Sequence, residues 1–485
     1  MPGDALNRDL SSIVPGGVYS RSEPNYVSAL RLDNRAILHA PDFVVRPRSR
    51  GDIAGLIDYC RTQEVAFTVR CGGHSPNGYS LNSEGVVIDL RAIHEIRIDK
   101  DVCHVGAGAI WADVYNRIRT QDEGHAVIGG VWPGVGVAGY LMGGGYGFLS
   151  RSHGMACDQI VSADLVTSNG RQLRVGEHSA CAQERELFWA LKGGGGGNFC
   201  VVTGFSILLH QAAPRMFAAR IAFDFERFEE VLSFYDDWVD TLPDKMTVYG
   251  AILAQPDPRH PGETFLALRL TAVYNGDYSE GLAQIMPLLA HSPLTTQVYS
   301  LPLTDLVSFL SSSNPDGDFG VYVRSVMLKR GRLSQAAPIL RKHVERIPKD
   351  AVFVVWTHAA GAINRFDART AAFPHRDVEY AFAVKAFWPV DYPELLQPAV
   401  IWAYRFFEDL GRVGTGAYVN YIDPLLTGWR EKYYRASWSR LVRVQERWDP
   451  GNLFRFQQGI SSQFEPDHPD EDDLDLNSLF RTFAT

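Results

Sequence analysis

Three glycine-dense stretches leave backbone N–H groups bare of side chains: "RCGGHS" at 70–75, "GGVWPGVGVAGYLMGGGYG" at 129–147 and "GGGGGNF" at 193–199. Such density is poor material for a core helix, because each glycine raises the cost of ordering the backbone. Its use is close backbone approach to a ligand, and successive bare N–H groups cradle phosphates. Together the three stretches suffice to wrap a long, phosphate-bearing cofactor. His74 sits inside the first of them, ahead of "SPNGYS". Taken alone it reads as a loop residue between two tight turns. Glycine-rich character returns briefly at 411–416, before "AYVNYID" (417–423), where Tyr418 and Asn420 share a strand face.

One motif misleads. "GVGVAG" (134–139) matches the Gly-x-Gly-x-x-Gly dinucleotide fingerprint, with Asp158 about the right distance onward. Trp132-Pro133 just before it would spoil a central parallel strand. The helix that should follow would contain Gly143-Gly144-Gly145 and Gly147. A nicotinamide-binding unit is therefore the weakest reading.

The elements that must position these residues are legible around them. "FVVRP" (43–47), "VAFTVR" (65–70), "GVVIDL" (85–90) and "CHVGAGA" (103–109) read as strands. A helix is predicted over 49–64 from the spacing of Ile53, Leu56, Ile57 and Cys60, and another over 111–121. Strands alternating with helices, and glycines at strand ends, define a mixed α/β region with its ligands at those ends. Residues 212–415 are richer in aromatics. Their period-two strands, such as "MFAARIAFDF", "TFLALRLTAVY" and "AVFVVWTHAAG", predict a sheet with one face on helices.

The chain has 485 residues, room for two or three domain-sized units, and is 46% hydrophobic and 21% charged, as soluble globular proteins are. Its net charge of −9 argues against a general nucleic-acid binder. Seven acids in "EPDHPDEDDLD" (465–475) supply most of that charge, a solvated tail followed by "LNSLFRTFAT", a candidate docking helix. The six cysteines show no Cys-x-x-Cys spacing, so neither a zinc site nor a dense disulfide framework is expected, and no metal. The N-terminus has no basic start and no apolar run of signal length, and no stretch reaches the roughly 18 apolar residues of a membrane span. These features predict a cytoplasmic protein; nothing in the sequence fixes its oligomeric state, and a monomer or weak homodimer is the default.

Seven motifs, in order, resemble those of the berberine bridge enzyme-like flavoproteins, within the vanillyl-alcohol-oxidase type of FAD-linked oxidoreductases. They are "RCGGHS" (70–75), "GVGVAGYLMGGGYG" (134–147), "HGMACDQIVSADLVTSNG" (153–170), "FWALKGGGGGNFCVVTGF" (188–205), "TAAFPHRD" (370–377), "AYVNYID" (417–423) and "RWDPGNLFRFQQGI" (447–460). The resemblance implies an α+β fold. A PCMH-type FAD-binding domain of two α/β subdomains would span 36–211. A berberine-bridge-type C-terminal segment at 416–461 would complete it. Between them, at 212–415, a substrate domain would roof the isoalloxazine ring with an antiparallel sheet flanked by helices. Residues 462–485 would form the acidic tail.

The resemblance also assigns roles. His74 would be bonded to the 8α carbon of FAD, with Arg70, Cys71, Gly72, Gly73 and Ser75 beside it. Further cofactor contacts would come from Trp132, Val135, Gly136, Gly139, Gly143, Gly144, Tyr146 and Gly147. Asp158, then Gly195, Asn198, Phe199 and Val201, then Tyr418 and Asn420 complete the set. Tyr421 matches the catalytic base, with Lys385, Arg376 or His358 as neighbours that could activate it. His375 and Arg376 look structural. Trp132 stands where many relatives carry a second, cysteinyl flavin link, so a single covalent link is expected; Cys157 reads as a buried structural thiol. Val135 resembles an open oxygen gate and favours an oxidase. Pro76 replaces a substrate-contacting tyrosine, and Ala381 a carboxylate, leaving Glu379 or Lys385 to supply polarity. The implied reaction takes a hydride from an alcohol or amine carbon of a sugar-like or secondary-metabolite substrate to flavin N5, with O2 as acceptor. A non-redox cyclase with FAD as a structural wall is the alternative.

Overall fold

A computed structural model describes residues 2–462, apart from 122–123, 261, 312–317 and 347–351. The acidic run at 465–475 and the candidate helix after it lie outside the described residues.

The first half builds two sheets. Strands Val18–Ser20, Phe43–Val45, Val86–Asp89 and Phe67–Arg70 lie side by side in that order, the last three parallel. A helix over Arg50–Thr62 makes the crossover between two of them. Its apolar stripe of Ile53, Leu56, Ile57 and Cys60 is buried as the spacing predicts. Ser49 starts it with a capping box: its Oγ accepts from the Asp52 N–H at 3.1 Å, and the Asp52 carboxylate accepts from the Ser49 N–H at 3.1 Å. The second sheet is antiparallel, in the order Ile96–Asp99, Val102–Gly106, Cys200–Leu208, Ile160–Thr167, Gln172–Gly176.

The third sheet has seven antiparallel strands, in the order Thr295–Leu301, Met216–Asp224, Thr264–Tyr274, Met246–Pro256, Val352–His358, Tyr380–Pro389, Phe319–Leu328. Helices Phe228–Val239, Tyr278–Leu289, Leu333–Val344 and Leu396–Gly411 pack on it or on one another. The molecule is thus an α+β fold, with one continuous apolar core running through all three sheets.

One sequence expectation changes here and one holds. Residues 417–425 are irregular, with one short helical turn at Val419–Tyr421, so Tyr418 and Asn420 do not share a strand face. The backbone groups explain it: the Tyr418 N–H donates to Ser325 Oγ at 2.8 Å and the Tyr421 N–H to the Tyr418 carbonyl, leaving no ladder to join. "GVGVAG" opens no dinucleotide helix; Val137–Met142 is six residues long and stops at Gly143. Among the described residues no helix is long and apolar enough to cross a membrane, and all six cysteines are free.

Candidate active site

A cavity of about 550 Å³ lies where the three sheets meet. The loop at 71–76, the glycine run at 130–142 and the turn at 195–198 form its floor. The uncovered face of the seven-stranded sheet roofs it, and 418–422 with 454–456 closes one side.

The floor is shaped by glycines of two motifs meeting backbone to backbone. A Cβ on Gly72 would stand 2.4 Å from the Gly136 nitrogen, and one on Gly136 would stand 2.4 Å from the Gly72 nitrogen. Gly73 takes a φ of +71°, which turns the chain to present His74. The His74 Nδ1 is 3.3 Å from Asp33 Oδ2, and its ring lies 6.4 Å from that of Trp132. Burial pushes the imidazole below its ordinary value, opposed by the Asp33 charge. Pro76, Cys71 and Ser75 line the cavity beside it, as do Val135, Gly139, Tyr146, Gly195, Asn198 and Val201.

The C-terminal segment adds three polar groups. Tyr418 Oη accepts from the Gly145 N–H at 2.8 Å and from Asn420 Nδ2 at 2.9 Å. Burial raises its phenol far above the usual value, so it stays neutral. Tyr421 packs on Val321, Val323 and Ala383 of the roof, and the Lys385 ammonium lies 5.4 Å from its ring centroid.

Several residues drawn into the site by their motifs stand outside the cavity. Arg70 is buried and its guanidinium donates to the Ala29 and Arg31 carbonyls, pinning a neighbouring loop. Gly143 makes room for Asn420, whose Oδ1 would be 2.0 Å from a Cβ there. Gly144 packs under Phe373, and Gly147 against the Gly129 carbonyl. Asp158 holds Arg376 through two bonds of 2.7 Å, which makes the "FPHRD" pair structural. Phe199 is core. Cys157 is buried.

His358 is the clearest displacement. Strand alternation sends Thr357 to the cavity and His358 to the other face, where its Nε2 meets Glu379 Oε1 at 2.8 Å. Both Glu379 and His358 are thereby removed from the site, and of the two candidate sources of polarity near Ala381 Lys385 alone lines the cavity. Conversely, Asp33, Tyr249, Arg269 and Thr271 line the cavity unannounced by any motif. A signal existed for Arg269: it is the lone charge in an otherwise apolar alternating strand, "TFLALRLTAVY".

Comparison with known proteins agrees with this architecture. A family profile described as "FAD binding domain" matches residues 41–176, and one described as "Berberine and berberine like" matches 417–461. The uncharacterized FAD-linked oxidoreductase YgaK of Bacillus subtilis is 28% identical over 450 residues, covering 92% of this chain and 96% of its own. Berberine bridge enzyme-like 25 of Arabidopsis thaliana is 26% identical over 465 residues, covering 87% and 83%. The solved structure of Physcomitrella patens BBE-like 1 superposes with a TM-score of 0.85 at 21% identity, over 95% of this chain and all of that one. The chain thus carries an FAD-binding domain and a berberine-like C-terminal segment, and along its length it is similar to berberine bridge enzyme-like and other FAD-linked oxidoreductases. The cavity suits FAD: Gly139 borders it with open space where a Cβ would stand, so a bulky phosphate-bearing group can reach the backbone there.

Proposed function

We propose that the protein is an oxidase whose FAD is held by one covalent bond, from His74 to the 8α carbon, and whose substrate is an alcohol or amine. FAD, when bound, supplies a two-electron acceptor that takes hydride from the substrate carbon and passes both electrons to O2, giving H2O2. The observation that carries the reading is the meeting of His74, Tyr421 and Lys385 in one cavity. His74 needs a neutral nitrogen to form its bond, and burial favours that form; the new N–C bond would replace a C–H bond of the 8α methyl and the N–H bond, the two protons and the electron pair ending on O2 as H2O2. Trp132 has no thiol to offer, so one link is the expected number. Tyr421 takes the O–H proton as the C–H bond breaks. The Lys385 ammonium, 5.4 Å from the ring centroid, is placed to stabilise the negative charge of the phenolate that accepts this proton. Tyr418 is neutral and its oxygen already accepts two bonds, which leaves it to position Asn420 and the Gly145 turn. Val135, on the floor, leaves room for O2. A bulky, partly apolar natural-product intermediate suits the aromatic and aliphatic lining.

The test uses purified protein. Acid precipitation should leave yellow colour in the wild-type pellet, and His74→Ala should lower the intact mass by one FAD. Anaerobic addition of a substrate alcohol should bleach the visible band, and air should restore it with formation of H2O2. Colour released to the supernatant removes the covalent bond. A product of unchanged mass would point instead to a non-redox cyclisation.

A further inference from the structure

The roof of the cavity has a chemical pattern that hydride transfer does not use. Across four neighbouring strands, Arg269, Ala251, Val355 and Ala383 stand opposite one another in register. Paired residues of an antiparallel sheet point to the same face, and all four line the cavity. The row is therefore an apolar trough of small side chains with a guanidinium at one end. Lys385 and Tyr421 stand at the other end, Lys385 two residues along the strand from Ala383. Three strand spacings separate the ends, about 14 Å.

The charges along this cavity are unequal. Asp33 is the one carboxylate among the described lining residues, and it lies 3.3 Å from His74, at the floor. Arg269 and Lys385 bring positive charge to the roof. Arg455, the other cation of the lining, is exposed on the C-terminal segment. Burial, with the neighbouring Arg220 charge, brings the Arg269 guanidinium down to about 10, which still leaves it cationic at neutral pH. Tyr249 is its diagonal neighbour on the next strand, since Tyr249 pairs with Thr271 and Ala251 with Arg269. The buried Tyr249 hydroxyl finds no hydrogen-bond partner among the described residues, although it borders the cavity. An unsatisfied buried hydroxyl costs about 1–3 kcal/mol, and a ligand oxygen would relieve it.

We propose that the substrate is elongated and carries a carboxylate at the end remote from the oxidised carbon, and that Arg269 binds this carboxylate with Tyr249 as a second donor. The inference rests on the reading of this cavity as the substrate site. The hydroxyl or amine end reaches Tyr421 and Lys385; the apolar body lies along Ala251, Val355 and Ala383. A guanidinium presents paired N–H donors that fit a carboxylate edge-on, so Arg269 fixes which end of the molecule enters first.

Calorimetric titration of the FAD-loaded enzyme with 4-phenylbenzoate and dodecanoate, each compared with its primary amide, tests this. The carboxylates should bind roughly tenfold or more tightly than the amides. Arg269→Met should erase that preference at unchanged FAD content, Arg269→Lys should retain part of it, and Tyr249→Phe should reduce it. Equal binding of acid and amide to the wild type, or failure of either acid to bind, overturns the proposal without any variant. A preference that survives Arg269→Met but vanishes in Lys385→Met moves the anion to the catalytic end and also overturns it. Absorbance of the same samples keeps the two readings apart: absence of FAD strikes at the oxidoreductase function, whereas intact FAD with no discrimination strikes only at the anion site.

Discussion

In the proposed reaction Tyr421 is the residue on which turnover depends most directly. Its ring is held by Val321, Val323 and Ala383, with a lysine ammonium beside it. Tyr421→Phe keeps that packing and removes only the proton acceptor. The rate of anaerobic FAD reduction should fall roughly 10²–10⁴-fold, with FAD content unchanged; a change of a few-fold would make Tyr421 a wall. In the same proposal Lys385 acts through the phenol, its ammonium 5.4 Å from the ring centroid. Lys385→Met should slow anaerobic FAD reduction at saturating substrate, and Lys385→Arg, which keeps the cation, should restore most of the rate. A merely structural lysine would show loss of folded, FAD-loaded protein in place of that split between the two variants.

The element that carries Tyr421 is irregular, so its position has to be imposed from outside. Asp423 does this. Its carboxylate takes the buried Arg324 guanidinium, accepts from the Tyr322 hydroxyl at 3.0 Å and caps the Leu425 N–H at 3.0 Å. Its carbonyl accepts from Gln458 at 2.7 Å. Asp423→Ala leaves the buried Arg324 with Glu408, 3.6 Å away, as its remaining carboxylate and should cost up to about 3–5 kcal/mol, read as a lower urea midpoint. This segment also marks where the sequence stopped being informative. Period-two and period-3.6 patterns correctly announced the strands around 43, 67, 86 and 103 and the helices at 50–62 and 111–121, because each has a face that must be buried. "AYVNYID" alternates too, yet its N–H groups find a serine hydroxyl and a turn, partners that only tertiary contacts supply. Arg70 and Asp158 failed in the same way. Their motifs mark the right neighbourhood, but a charge's partner — a backbone carbonyl for Arg70, Arg376 for Asp158 — is chosen by distant chain. Thr357 and His358 show the reverse, since a strand's alternation alone separates them.

At the scale of the molecule, acid should loosen the junction between sheet and C-terminal segment. His375 is buried against Gly416, at the start of that segment, and burial pushes its imidazole down to about 3. His210, stacked on His153 at 4.0 Å, is pushed down to about 4, again mainly by burial. Both folded values lie below the ordinary 6.5 or so. Below that pH the unfolded chain binds protons that the folded chain does not, so stability is full above about 6.5 and drains away as pH falls toward 3–4. The urea midpoint should therefore drop between pH 7 and pH 5, and His375→Gln should flatten the drop; a flat wild-type profile would count against buried neutral histidines. The way the cavity is closed has a consequence in time. Ile460 donates its N–H to Asn198 across 262 positions of sequence, and the Tyr418 hydroxyl meets Gly145 across 273. A ribosome adding about 5–20 residues per second makes one side of this pocket roughly 10–50 s before the other exists. Cofactor capture must then await completed synthesis, and a chain that stalls on the way presents a half-built, greasy cleft for chaperones to shield.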